Sequence, residues 1–269
     1  MIENPENIPH SKSIDQYKIL DPIGHGAFSV VRVAKDIRSN IYYACKIVPR
    51  SRISTKELET RFETEIRVLQ QMRHPNIVQL VDLKKDKLNY YIFMEFCSCG
   101  ELFQYIVNKK RVPEADAKII LFQIIDALKY CHSHNVVHRD MKPENLLFDS
   151  EGHIKITDFG LSRYVEAEGL VTTSCGSPCY ASPEILIGNP YDGSKSDMWS
   201  VGVILYAMVT GNLPWTKKNQ AQLFDQIKRG EYSIPDFISP SCQSLIRSLM
   251  CTDSAKRLSA ADALTHSFF

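Results

Sequence analysis

The sequence predicts an α+β chain in two parts: a small β-rich part with one helix, followed by a larger α-helical part. Three observations predict it. Short apolar runs separated by turn residues fill positions 17–95. A single stretch with helical apolar spacing interrupts them. Beyond residue 100 the apolar spacing is mostly helical. The junction falls near Phe96–Gly100.

Residues 1–16 are polar with two prolines and read as an N-terminal tail without packing. Strand-like character begins with Tyr17-Lys18-Ile19-Leu20. Gly24-His25-Gly26 follows, and Ser29-Val30-Val31-Arg32-Val33-Ala34 alternates again. Ile41–Val48 is a third β-rich run. The helix spans roughly Glu57–Arg73, with Phe62, Ile66, Leu69 and Met72 on one face, and His74-Pro75-Asn76 ends it. Ile77–Val81 and Tyr90–Glu95 read as strands split by a charged turn, Lys84-Lys85-Asp86-Lys87. After Pro113, Ala117, Ile120, Leu121, Ile124, Leu128 and Cys131 make the apolar face of a long helix. Two short strand-like pieces lie at Leu146–Phe148 and Ile154–Thr157. A loop rich in Ser, Thr, Gly and Pro leads to a buried helix at Ser196–Thr210. Helical segments at Gln220–Arg229, Pro240–Cys251 and Ala260–His266 complete the chain.

At 269 residues the chain is long enough for one large domain or two small ones. A net charge of +1 gives no support for a whole-surface nucleic-acid binder. No apolar run reaches the roughly 20 residues a membrane helix needs. The start has no basic-then-apolar pattern of a signal peptide, and Ile2 in place of glycine argues against myristoylation. Cys45, Cys97, Cys99, Cys131, Cys175, Cys179, Cys242 and Cys251 show no framework spacing, so reduced thiols are expected. Cys131-His132-Ser133-His134 with His138 has metal-ligand composition, but no second cysteine pair supplies the spacing of a structural zinc site.

Several motifs carry chemistry. Gly24-His25-Gly26-Ala27-Phe28-Ser29 nearly matches a glycine-rich phosphate loop. A strand follows it, not the helix that dinucleotide binding requires. Between strands, such a turn can lay backbone N–H groups over phosphate oxygens. Lys46 lies on the third strand and Glu65 on the following helix, where an ion pair or plain solvation would each suit them. His138-Arg139-Asp140-Met141-Lys142-Pro143-Glu144-Asn145 joins a candidate base, cations and an amide in eight residues. Asp158-Phe159-Gly160 follows, and a carboxylate and an amide so spaced can ligate Mg²⁺ from two sides.

In this order, over about residues 17–269, these motifs resemble a eukaryotic serine/threonine protein kinase. The resemblance implies the bilobal protein-kinase fold, with an N-lobe at 17–95, a hinge at 96–99 and a C-lobe at 100–269. It implies ATP and Mg²⁺ as cofactors. It makes Gly24 and Gly26 the phosphate-covering loop, together with Ile23, His25, Ala27, Phe28, Ser29 and Val30. Ser29 replaces the loop's third glycine. Lys46 would hold the α/β-phosphates, paired with Glu65, and Asp140 would be the base, with Lys142 beside it. Asn145 and Asp158 would be the metal ligands. Val31, Ala44 and Leu147 would sandwich the adenine, Met94 would be the gatekeeper, and Glu95–Cys97 would give the hinge hydrogen bonds. Leu69, Leu80, His138 and Phe159 would form an apolar column anchored by Asp197. Ser182-Pro183-Glu184 stands where Ala-Pro-Glu is usual, with Arg257 as its ion-pair partner.

Leu170–Pro178 resembles the AMP-activated and SAD-type kinases of the calmodulin-dependent kinase group. This places an activating phosphosite at Thr173, with Thr172 as the alternative and Arg139 and Arg163 as phosphate partners. The implied partners are protein substrates bearing Ser or Thr, with an upstream Arg met by Glu101 and Glu144, and an upstream activating kinase. No nucleic acid and no membrane span are expected, and the expected location is cytoplasmic, with the nucleus as alternative. The rival reading is a pseudokinase binding module, against which the presence of Lys46, Glu65, Asp140, Asn145 and Asp158 counts.

Overall fold

The computed structural model describes residues 8–26, 29–53, 55–158, 178–188 and 191–269, without the side chains of residues 61, 65 and 68. The described chain divides into two compact units, one running through Ser98 and the other starting at Cys99.

The first unit is a six-stranded sheet with a helix. Its strands are β1 (Ser13–Ile14), β2 (Tyr17–Gly26), β3 (Ser29–Asp36), β4 (Tyr42–Pro49), β5 (Leu80–Lys85) and β6 (Asn89–Glu95), in the order β1-β2-β3-β4-β6-β5. All neighbours are antiparallel. Because side chains alternate across a strand, the register sorts the residues by face. Val30, Ile47 and Tyr91 lie opposite one another, as do Cys45 and Phe93, and all five belong to one buried cluster with Tyr17, Ile19 and Ala34. Tyr17 stacks on Phe93 at 3.7 Å between ring centroids. The alternate residues Val31, Lys46 and Ile92, and Ala44 with Met94, form rows on the other face.

Helix α1 (Lys56–Gln71) starts at Thr55, whose hydroxyl accepts the Leu58 N–H, and buries Phe62, Ile66 and Leu69. Two expectations change here. Ile77–Gln79 lie outside the strand, and Lys84 and Lys85, read as a turn, lie inside β5. That strand is at the sheet edge, where charge is tolerated. Lys84 meets Asp15 and Asp82, and Lys85 meets Glu63. The expected unpacked tail also ends earlier. Ile8 and Ile14 pack against the core cluster, β1 pairs with β2, and Ser11 is tied to the Tyr91 hydroxyl and to Asp86.

The second unit contains α2 (Leu102–Lys109), α3 (Glu114–Ser133), β7 (Leu146–Phe148), β8 (Ile154–Ile156), α4 (Pro183–Ile187), α5 (Gly193–Thr210), α6 (Gln220–Arg229), α7 (Pro240–Leu249) and α8 (Ala260–Ala263). Helix α2 was not singled out from the sequence. The last helix is a single turn, shorter than expected, capped by Ser259. Helix α5 is buried from Ser196 to Val209 and packs against α3 and α7. Gly202 permits the close approach, since a Cβ there would lie 2.7 Å from Met250 Cγ and 2.9 Å from Leu249 Cβ. Among the described residues no helix is long and apolar enough to cross a membrane.

Candidate active site

In the second unit, the run from His138 to Asn145 leaves α3 and enters β7, and it is held from α5. Asp197, 1% exposed, is the one carboxylate of that mostly buried helix. A buried charge is tolerated only with a full set of donors. Asp197 has them: the backbone N–H groups of His138 and Arg139 donate to it, each at 2.8 Å, and His132 Nε2 lies 3.0 Å away. The chain then passes through Arg139 at φ 71°. The N–H of Asp140 donates to His138 Nδ1 at 3.2 Å, so the imidazole proton is on Nε2, which donates to the Thr157 carbonyl at 2.7 Å. The buried ring thus ties the loop to the end of β8.

Three side chains converge beyond this point. Lys142 Nζ donates to Asp140 Oδ2 at 2.7 Å. Asn145 Nδ2 donates to the Asp140 carbonyl at 2.7 Å and to the same Oδ2 at 3.1 Å. The Asp140 side chain is 40% exposed and that of Lys142 15%, so the carboxylate is held from the protein side and open to solvent on the other. The Thr157 N–H donates to the Asn145 carbonyl at 3.0 Å, which brings Asp158 to the same place. Asp158 also has a positive φ, 62°. Non-glycine residues held in this region cost about 1–3 kcal/mol each and cluster at functional sites.

The donor set fits a divalent cation. With the Asn145 amide nitrogen given to Asp140, its Oδ1 is an oxygen donor and the carboxylate of Asp158, next to Thr157 in the chain, is a second, and hard oxygen donors suit Mg²⁺. Bound there with a nucleotide, Mg²⁺ would supply charge neutralisation to the phosphates.

In the first unit, Gly24, His25 and Gly26 face Val31, Val30 and Ser29 across the β2–β3 hairpin. Ser29 is buried and its hydroxyl fills the space a Cβ on Gly26 would take. Lys46 lies between Val31 and Ile92, one row from Ala44 and Met94.

Residues 17–269 match the family described as protein kinase domain. This chain belongs to the protein kinase family. It is also 40% identical over 260 residues to the serine/threonine protein kinase OSK3 of Oryza sativa subsp. indica, covering 97% of this chain and 51% of that protein. The protein of the same name from Oryza sativa subsp. japonica gives the same figures. The chain spans about half the length of the curated relatives it matches. Its β-rich small unit and helical large unit are the α+β kinase fold.

In the second unit Asp140, Lys142 and Asn145 are hydrogen-bonded together, and the Thr157–Asn145 backbone bond places Asp158 one residue from them along the chain. Lys46, Val31, Ala44 and Met94 share one face of the first unit's sheet. Ile23 and His25 are exposed, and Glu95 and Cys97 are half-buried. Val30 is a correction. It is 1% exposed within the cluster on the opposite face, so its side chain belongs to the core and not to a nucleotide site. Leu147 lies on β7, bridged to Glu101. Leu69, Leu80 and His138 are buried in their own units. Ala27, Phe28, Phe159, Arg163, Thr172, Thr173 and Cys175, and the side chain of Glu65, lie outside the described residues.

Glu184 and Arg257 form a two-point ion pair at 2.6 and 3.0 Å. Ser182, in place of alanine, is buried with its hydroxyl 3.0 Å from that of Ser196. Cys131 and His132, weighed as metal ligands, have other roles. Burial pushes the Cys131 thiol up to about 12, and His132 serves Asp197. Nothing in the local spacing announces that second role, since Asp197 lies 65 residues further along the chain.

Proposed function

We propose that this chain is a serine/threonine protein kinase that transfers the γ-phosphoryl group of ATP to Ser or Thr hydroxyls of proteins. One observation carries the reading: the Asp140 carboxylate, half-open to solvent, is fixed by Lys142 and Asn145 on a loop anchored to the core by Asp197. Asp140 would accept the hydroxyl proton, Lys142 would offset charge gathering on the transferred group, and Asn145 with Asp158 would hold Mg²⁺. Lys46, paired with Glu65, would hold the α/β-phosphates.

Finer readings belong with this one. The run Leu170–Pro178 supports a kinase of the AMP-activated and SAD types in the calmodulin-dependent kinase group, acting in the cytoplasm with the nucleus as alternative. Its activity rises when an upstream kinase phosphorylates Thr173, with Arg139 and Arg163 pairing the phosphate. Glu101 and Glu144 select an upstream Arg in the substrate. One buried Glu144 oxygen has no hydrogen-bond partner among the described residues. The Glu101 carboxyl is raised, first by burial and then by Glu144's charge. An arriving guanidinium would meet the exposed Glu101 carboxyl and offset the charge it shares with Glu144.

The test is phosphate transfer from Mg·ATP to serine peptides with and without an upstream Arg. Wild type, Asp140→Asn and Thr173→Ala are compared before and after treatment with an activating kinase. Loss of the general base lowers kcat by about 10²–10⁴. Near-normal turnover in Asp140→Asn removes that residue from its role. Equal activity of treated Thr173→Ala and treated wild type removes the loop switch, and indifference to Arg removes the specificity reading.

A further inference from the structure

Ends of three strands converge on two carboxylates of α1. Tyr90, on β6, is fully buried, and its ring packs against Phe62 of α1 at 5.0 Å between centroids. Its hydroxyl lies 2.5 Å from an oxygen of Glu59 and 2.9 Å from an oxygen of Glu63, one helical turn apart. Arg50, just past β4, donates to the same Glu59 oxygen at 2.7 Å. Lys85, at the end of β5, donates to the same Glu63 oxygen at 2.8 Å. Both cations also lie within 6 Å of the Tyr90 ring centroid, at 5.8 and 5.9 Å. Two glutamates at this spacing would otherwise repel and weaken the helix. Hydrogen bonds from Tyr90 and Arg50 hold the Glu59 carboxyl below its ordinary range. The Lys85 hydrogen bond, against burial and helped by Tyr90, does the same for Glu63. Burial first, and then the two glutamates, push the Tyr90 hydroxyl upward, so it remains a proton donor.

Helix geometry shows what this cluster controls. Phe62, Ile66 and Leu69 form the buried stripe of α1. Glu59 and Glu63 border one side of that stripe. Position 65 borders the other side, roughly 120–160° around the axis at ~100° per residue. We infer that Tyr90 is a positioning residue for phosphoryl transfer: its one hydroxyl proton, shared between Glu59 and Glu63 beside Arg50 and Lys85, fixes the rotation of α1 and thereby sets position 65 on the opposite flank. This rests on the kinase reading, in which Glu65 pairs with Lys46. A rotation of ~20° moves a group ~6 Å from the helix axis by about 2 Å. Misplacement by about 1 Å can cost catalysis dearly.

The experiment compares wild type, Tyr90→Phe, Glu65→Gln and the double variant in peptide phosphorylation. Tyr90→Phe removes the hydroxyl and keeps the ring. It is expected to lower kcat/KM for ATP about tenfold, the scale of a lost hydrogen bond to a charged acceptor, with peptide KM unchanged. Added to Glu65→Gln, it should lower the rate no further, because it acts through Glu65. An unchanged rate in Tyr90→Phe, or the same fold-loss in both backgrounds, overturns the positioning role. Amide hydrogen exchange gives a second readout that does not depend on activity. In Tyr90→Phe and in Glu63→Gln, α1 amides should exchange faster while those of α5 do not. Unchanged α1 exchange overturns the clamp itself. Wild type without Asp140-dependent transfer overturns the kinase reading and with it the positioning role, while exchange still decides whether the clamp exists.

Discussion

Replacing Arg257 by alanine tests the energetics of the second unit. The Arg257 side chain is fully buried and has four protein acceptor groups: both Glu184 oxygens, the Cys251 carbonyl at 2.9 Å and the Lys195 carbonyl at 2.8 Å. Its guanidinium also lies 5.1 Å from the Trp199 ring centroid. Truncation strands the Glu184 carboxylate, which is itself only 15% exposed. Removing one partner of a buried pair costs about 3–5 kcal/mol. The chain has two tryptophans, Trp199 and Trp215, both in the second unit and stacked 6.3 Å apart, so tryptophan fluorescence in urea reports that unit alone. The expected midpoint shift exceeds about 1 M urea. Acid supplies the control. Burial raises the Glu184 carboxyl, but the Arg257 hydrogen bonds and charge, with Ser182, outweigh it, and the net shift is downward from 4.5. A depressed folded value means the pair's contribution is complete above pH 4.5 and is lost as pH falls through the folded value. The difference between wild type and variant therefore narrows in acid. A loss below about 1 kcal/mol at neutral pH, the scale of an exposed ion pair, refutes the reasoning.

Other substitutions follow from the same geometry. Gly202→Ala gains helix propensity but forces a Cβ against Met250 and Leu249, so thermal unfolding should show a net loss of about 1–2 kcal/mol. Asp197→Asn keeps one acceptor where two backbone N–H groups need two, and kcat should fall more than tenfold with secondary structure intact by circular dichroism. Ser239→Ala removes both the cap of α7 and the hydroxyl bonded to Glu114. It should lower stability by about 1–2 kcal/mol in denaturant titration, and a neutral result would show that the cap is dispensable.

The helices were legible where apolar spacing matched burial: α1 from Phe62, Ile66 and Leu69, and α3 from Ala117 through Cys131. Boundaries failed where charge was read as solvent exposure. Lys84 and Lys85 are polar in sequence yet strand in fold, because acids on other elements, Asp15 and Glu63, neutralise them. The N-terminal segment failed for a related reason: two isoleucines among polar residues suffice to dock it once Tyr91 and Asp86 offer partners. At the site, residues within one contiguous run were readable from order and chemistry. Val30 was not, since alternation fixes that neighbours face opposite ways but not which of Val30 and Val31 faces the core. The tyrosine clamp was invisible because Arg50, Glu59, Glu63, Lys85 and Tyr90 meet only after folding.

Asp197 has a consequence for how the second unit fails when heated. The loop carrying Asp140 has no regular hydrogen-bonded ladder, and such loops ordinarily loosen well before a domain melts. Here two consecutive backbone N–H groups of that loop end on a carboxylate set in the most buried helix of the unit. Loosening the geometry around Asp140 means breaking two hydrogen bonds into the core helix, so this loop is expected to keep its shape until the second unit itself melts.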